Sequence, residues 1–137
     1  MLGVDTNVLV RLIVGDESTQ HHQARALIEL TRSQGERCRV DRVVLCELVW
    51  VLQRSYLYRR DIIVDAVDRL LRADDFLIDA SREASLALAD FRAGSADFAD
   101  CLIARLNAEA GCRATATFDK VAADQVGFMG VGDIVHG

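Results

Sequence analysis

Apolar residues follow two rhythms along this chain. Short runs such as Leu2-Gly3-Val4 and Ala114 to Thr117 are too brief for helices and are bounded by polar residues, as buried strands are. Longer stretches repeat apolar side chains three and four residues apart, the spacing of one helix face. Thr19 to Arg32 does so through Ala24, Leu27, Ile28 and Thr31, and the next such helix is marked by Ile62, Ile63, Ala66, Leu70 and Leu71. The same reading predicts a first strand over Leu2 to Asp5, a short helix from Asn7 to Val14, and an extended piece at Arg39 to Asp41. A strongly apolar helix from Val44 to Arg54 follows, then a strand at Phe76 to Asp79 and a helix opened by Ser81 as N-cap. Asp97 to Ala110 reads as a helix stopped by Gly111, with strands at Ala114 to Thr117 and Val126 to Met129.

Strands alternating with helices predict an α/β fold, a parallel sheet with helices on both faces. In such a sheet, ligands gather beyond the carboxyl ends of the strands. Asp5 and Asp119 each follow a predicted strand, which puts acids from opposite ends of the chain at that rim. The 137 residues contain no proline, repeat or linker, so residues 1–137 are expected to form a single domain.

Composition narrows the class. The chain is 51% hydrophobic and 27% charged, as a globular protein is, and no apolar run approaches the roughly 20 residues of a membrane span. With no basic, apolar leader at the start, the cytoplasm is the expected compartment. Cys38, Cys46, Cys101 and Cys112 show no metal-binding spacing and are expected as reduced thiols. The histidines, among them the adjacent His21 and His22, are expected at the surface. The net charge of −5 argues against a protein that coats nucleic acid, although a cation held by several acids would bring the remainder close to balance. Lys120 is the only lysine, and arginine suits bidentate contact with phosphate.

The chemistry lies in acids set in apolar surroundings. Asp5 closes Leu2-Gly3-Val4, and Glu47 interrupts Val43 to Leu52 with Val43, Val44, Trp50 and Val51 as helical neighbours. Asp100 lies in Ala99-Asp100-Cys101-Leu102-Ile103-Ala104, and Asp119 follows Ala114 to Phe118. A buried carboxylate is costly unless it is paired, protonated or bound to a cation, so a shared divalent metal is the economical explanation. Asp5 and Asp119 also fit plain helix caps, and Glu47 fits a wet or dimer-forming face. Asp97, one turn before Asp100, fits either a cap or an outer ligand. Thr6 and Asn7 are placed to orient a ligating carboxylate, and Lys120 to pair with Asp119 or a phosphate. Asp16, Glu17, Asp74 and Asp75 fall in hydrophilic loops and are expected to be solvated.

Taken in order, these motifs resemble the PIN domain family, and within it the VapC-type toxin ribonucleases of toxin–antitoxin pairs. Leu2-Gly3-Val4-Asp5-Thr6-Asn7-Val8-Leu9 is similar to the family's opening strand and first acid, and Leu45-Cys46-Glu47-Leu48-Val49-Trp50-Val51-Leu52 to its second. Ala96-Asp97-Phe98-Ala99-Asp100-Cys101-Leu102-Ile103-Ala104 resembles the third motif and Thr117-Phe118-Asp119 the fourth. The resemblance implies a three-layer α/β/α sandwich with a central parallel β-sheet. It also implies Mg²⁺- or Mn²⁺-dependent cleavage of RNA, a homodimer, and a cognate antitoxin that blocks the site. Asp5, Asp100 and Asp119 are the expected ligands, Glu47 a ligand or the holder of the attacking water, and Asp97 an acid not all relatives carry. Arg54, Arg59 and Arg60 with Tyr56 and Tyr58 offer an RNA patch, or alternatively a solvated helix end or dimer contact. The competing functions are a non-catalytic PIN-like binding module and an aspartate-based phosphohydrolase. The second would want an acid where Asn7 stands.

Overall fold

The computed structural model describes residues 1–16 and 18–137; Glu17, expected in a hydrophilic loop, lies outside them. The chain forms two compact units, Met1–Ser81 and Arg82–Gly137.

The first unit holds β1 (Leu2–Gly3), α1 (Thr6–Val14), α2 (Thr19–Ser33), β2 (Cys38–Val40), α3 (Arg42–Arg54), α4 (Arg60–Arg72) and β3 (Phe76–Ile78). Its strands form a parallel sheet in the order β1-β2-β3, and α1 packs against α2 and α3. Side-chain alternation is visible along the strands. Cys38 and Val40 in β2 are buried, as are Phe76 and Ile78 in β3, while Leu77 between the latter two is exposed. Caps set the helix starts. Ser18 accepts from the His21 N–H at 3.1 Å, and Asp41 accepts from Val43 N–H at 2.7 Å, so α3 begins two residues before the expected Val44. Gly15 ends α1 at φ +64° and returns its N–H to the Arg11 carbonyl, a conformation that glycine adopts without a steric penalty.

The second unit takes up α5 (Ser81–Ala93) from Arg82 and adds α6 (Phe98–Glu109), β4 (Thr115–Thr117), α7 (Lys120–Ala123), β5 (Phe128–Gly130) and α8 (Val131–His136). β4 and β5 pair in parallel, with α7 and α8 packed on both strands. Phe91 and Phe98 meet edge to face at 6.0 Å in its interior. The turn after α6 runs through Gly111 at φ +93°, as its sequence position predicts. α8 has no counterpart in the sequence expectation, because two glycines break up its apolar pattern. The protein is thus a mixed α/β fold with parallel strands flanked by helices.

Two expectations change. His21 is buried, with Nδ1 2.7 Å from the Arg11 carbonyl, so its ring ties α2 to α1 rather than lying at the surface. Asp75, expected to be solvated, accepts a two-point contact from Arg32 at 2.8 and 2.7 Å. That contact holds its carboxyl below the usual carboxylate range. The four cysteines are all free, but Cys112 is exposed.

Candidate active site

Extending the strand register of the first unit by two residues aligns Asp5, Asp41 and Asp79 along the carboxyl rim, since Gly3 pairs with Arg39 and Arg39 with Leu77. Each strand thus ends in an aliphatic residue followed by aspartate: Val4-Asp5, Val40-Asp41 and Ile78-Asp79. The three acids are held differently. Asp79 accepts from Arg42 Nε at 2.7 Å and lies 3.7 Å from Arg39 Nη2. The hydrogen bond from Arg42 is the main reason its carboxyl sits below the usual range. Asp41 caps α3 and lies 3.4 Å from Arg39. Asp5 caps α1 through Oδ1, which accepts the Thr6 N–H at 2.7 Å, and no arginine is paired with it among the described residues.

Asp5 shares a cleft of about 300 Å³ with Thr6, Asn7, Arg11, Glu47 and Val51. The Thr6 side chain is buried, and its hydroxyl donates to Glu47 Oε2 at 3.1 Å. The first two acidic motifs therefore meet through Thr6, a short side chain at the start of α1 that reaches across to α3. Arg11 lines the same cleft and donates to Gln20 at 2.9 Å. Sequence reasoning missed it, although its position one turn after Asn7 on the same helix face was the available signal.

The surroundings of Glu47 differ from the dry face its neighbours suggest. Glu47 is exposed, as are Val43 at 62% and Trp50 at 59%, while Leu45, Leu48, Val49 and Leu52 form the buried side of α3. The helix is apolar almost all round, so periodicity alone could not tell its inner from its outer face. The neighbouring Cys46 is half-buried, and burial pushes its thiol up, which leaves it protonated and unsuited to act as a nucleophile.

In the second unit, Asp97 occupies the N-cap position of α6, yet its side chain makes no capping bond. Asp100 follows one turn later, half-buried. Its carboxyl is raised above the usual range, first by burial and then by the negative charges of Asp97 and Asp119. Asp119 caps α7 with Oδ1, accepting from Val121 N–H at 2.8 Å and Ala122 N–H at 3.1 Å. The cap explanation for Asp119 therefore holds, and it occupies one oxygen. Lys120 beside it makes no ion pair among the described residues, so the expected pairing with Asp119 is not formed.

A hard divalent cation takes oxygen ligands, and the acids in each unit offer only those. Like charges crowding a half-buried Asp100 are the situation a cation relieves, so the donor chemistry fits Mg²⁺ or Mn²⁺. The geometry is looser than the sequence expectation. Among the described residues, no three His, Cys, Asp or Glu side chains are gathered closely enough to hold a metal ion. Asp5 and Glu47 belong to the first unit, and Asp97, Asp100 and Asp119 to the second.

No helix among the described residues is long and apolar enough to cross a membrane. No curated protein matches the chain. Residues 3–128 match the PIN domain model, a span that takes in every one of these acids. PIN domains are generally nucleases and usually use divalent metal ions. With the match running over nearly the whole chain, this protein belongs to the PIN domain family.

Proposed function

We propose that this protein is a metal-dependent endoribonuclease, the toxin of a type II toxin–antitoxin pair. The observation that carries the proposal is that all four acidic motifs lie within the PIN match, with Asp97, Asp100 and Asp119 crowded together. Asp5, Glu47, Asp97, Asp100 and Asp119 make no ion pair among the described residues, whereas Asp41, Asp75, Asp79 and Asp90 are each matched to arginine. Folded proteins tolerate unpaired, crowded carboxylates where another ligand neutralises them. The four sequence motifs in family order support the VapC-type assignment.

A bound Mg²⁺ or Mn²⁺ would supply activation of water and neutralisation of charge developing on the phosphate. Asp5, Asp100 and Asp119 are assigned as its ligands, with Asp97 as an outer acid. Glu47, aimed by the Thr6 hydroxyl, either joins the ligands or accepts the proton of the attacking water at Oε2. Arg11 is placed to contact the substrate phosphate. A cognate antitoxin, a homodimer and a cytoplasmic setting complete the proposal; the free thiols suit a reducing compartment.

Purified protein incubated with mixed cellular RNA tests this directly, with Mn²⁺ and with EDTA, beside Asp5→Asn. Cutting that requires metal and disappears in Asp5→Asn is the expected result. Cutting that survives both treatments would come from a contaminant and remove the support. Bound Mn²⁺ without cutting of any RNA would favour the non-catalytic module instead.

A further inference from the structure

The helix that carries Glu47 turns an unexpected face to solvent. Val43, Glu47, Trp50 and Arg54 follow one another at intervals of four, three and four residues, so they form a single stripe along α3. All four are exposed, opposite the buried Leu45, Leu48, Val49 and Leu52. Trp50 is the only tryptophan in the chain. An indole at a solvated position gives up the large burial that aromatic side chains usually contribute, and neither the packing of α3 nor its capping calls for one there.

Beyond Trp50 the surface becomes basic and aromatic. From Leu48 to Arg60 the chain holds Arg54, Arg59, Arg60, Tyr56 and Tyr58 and no acid. The tyrosine rings lie 6.1 Å apart at a tilt of 57°. Leu57 between them is 81% exposed at φ +55°, in the turn that closes α3, where the Tyr58 N–H donates to the Leu52 carbonyl at 3.0 Å. Along α3 and the turn after it, then, an exposed acid is followed by an exposed indole, a guanidinium and a pair of half-buried phenol rings. Arginine interleaved with exposed aromatics suits a single strand, whose bases stack while its phosphates meet positive charge.

We propose that Trp50 is a base-stacking platform for single-stranded RNA, seating a nucleotide next to the phosphodiester presented to Glu47, with Arg54 contacting a phosphate of the same strand. The inference rests on the nuclease assignment and adds where its substrate lies. At about 1.5 Å of rise per residue, Trp50 stands about one helical turn from Glu47 and Arg54 about two. That spacing is on the scale of neighbouring nucleotides. A protein partner is the other class of occupant for an exposed tryptophan. Arg59 pairs with Asp61 at 3.4 Å, but the exposed Arg54 that continues the stripe next to Trp50 favours a polyanion.

The lone tryptophan makes the test direct. The full chain carrying Asp100→Asn, which keeps the RNA intact, is titrated with a short labelled single-stranded RNA while tryptophan emission and label anisotropy are read on the same samples. The expected result is saturable quenching of Trp50 with the same midpoint as the anisotropy. Trp50→Ala should weaken binding about tenfold or more, and Trp50→Phe should retain most of it, which separates stacking from misfolding. Arg54→Ala should lower the slope of log affinity against log salt by about 0.7. Trp50→Ala that binds RNA as tightly as Asp100→Asn alone, and that cuts it like the unmodified protein when Asp100 is restored, overturns this inference and leaves the nuclease standing. Trp50 emission that follows protein concentration and ignores RNA assigns the stripe to a contact between chains and also overturns it. Failure of the unmodified protein to bind or cut any RNA overturns both.

Discussion

The carboxyl rim of the first unit's sheet and the start of α6 in the second unit use the same side chain in opposite ways. At the rim, Asp79 is clasped by Arg42 and Arg39, and its carboxyl is held low by the arginine hydrogen bond. At α6, Asp100 is half-buried beside Asp97 and Asp119, and its carboxyl is pushed up by burial and by those charges. Scarcity of arginine does not explain the contrast, because the second unit clasps its own Asp90 with Arg105 at 2.7 and 2.8 Å. Acids tied to arginine hold elements together, whereas Asp97, Asp100 and Asp119 crowd one another with no ion pair among the described residues.

Exchanging charge for amide at the two places breaks the comparison most sharply. Asp100→Asn should reduce RNA cutting at least about 10³-fold, as loss of a central catalytic group does, while Asp79→Asn leaves the cutting rate unchanged. Stability should move the other way. Asp79→Asn should destabilise by about 1 kcal/mol, the value for a partly exposed charged pair. Asp100→Asn should stabilise the metal-free protein by about 1 kcal/mol, or about 3 °C in melting temperature for a chain of this length. Parallel cleavage assays and thermal melts of both variants in EDTA check this, and equal losses of cutting would erase the distinction.

Metal provides the next contrast. Millimolar Mn²⁺ should stabilise the unmodified protein through linkage, by about 2.7 kcal/mol when the ion stands at 100 times its dissociation constant, and so raise its melting temperature. Asp79→Asn should show the same shift and Asp100→Asn little of it. Thr6→Val, which removes the hydroxyl that aims Glu47, should lower the cutting rate about tenfold, as loss of an orienting hydrogen bond near a metal ligand does. A rate unchanged in Thr6→Val would separate Glu47 from the chemistry.

The smallest effect is in acid. The raised carboxyl of Asp100 disfavours its charged form in the folded state, so the metal-free protein should gain stability as pH falls through that value and Asp100 takes up a proton. The depressed carboxyls of Asp75 and Asp79 act with the opposite sign. Their contribution is complete above the unfolded aspartate value of about 3.9 and is lost as pH falls through their lower folded values. Metal-free stability should therefore rise slightly on mild acidification and then collapse. Asp100→Asn should abolish the rise and keep the collapse, which denaturant melts across the pH range can resolve.

Much of this was legible in the chain. Apolar spacing located nearly every helix and strand because it reports the face each element buries, and the caps at Asp5 and Asp119 are local chemistry. The acids stood out for the same local reason. Glu47 shows where such reading stops: its neighbours Val43 and Trp50 look like core residues, and only packing reveals that they face water. Asp41 and Asp79 closed predicted strands without standing out as rim acids, and the clasp on Asp79 was hidden because Arg39 and Arg42 reach it across the parallel register.

By itself, the sequence determined the α/β class, the four acidic motifs and their family, all of which depend on contacts within a few residues or on order along the chain. The tertiary structure decided which carboxylates are neutralised by arginine and which are left open, which side of α3 is wet, and that Thr6 ties the first motif to the second. Those outcomes depend on side chains up to 43 residues apart, and pairwise electrostatics at such separations exists only once the backbone has brought the partners together.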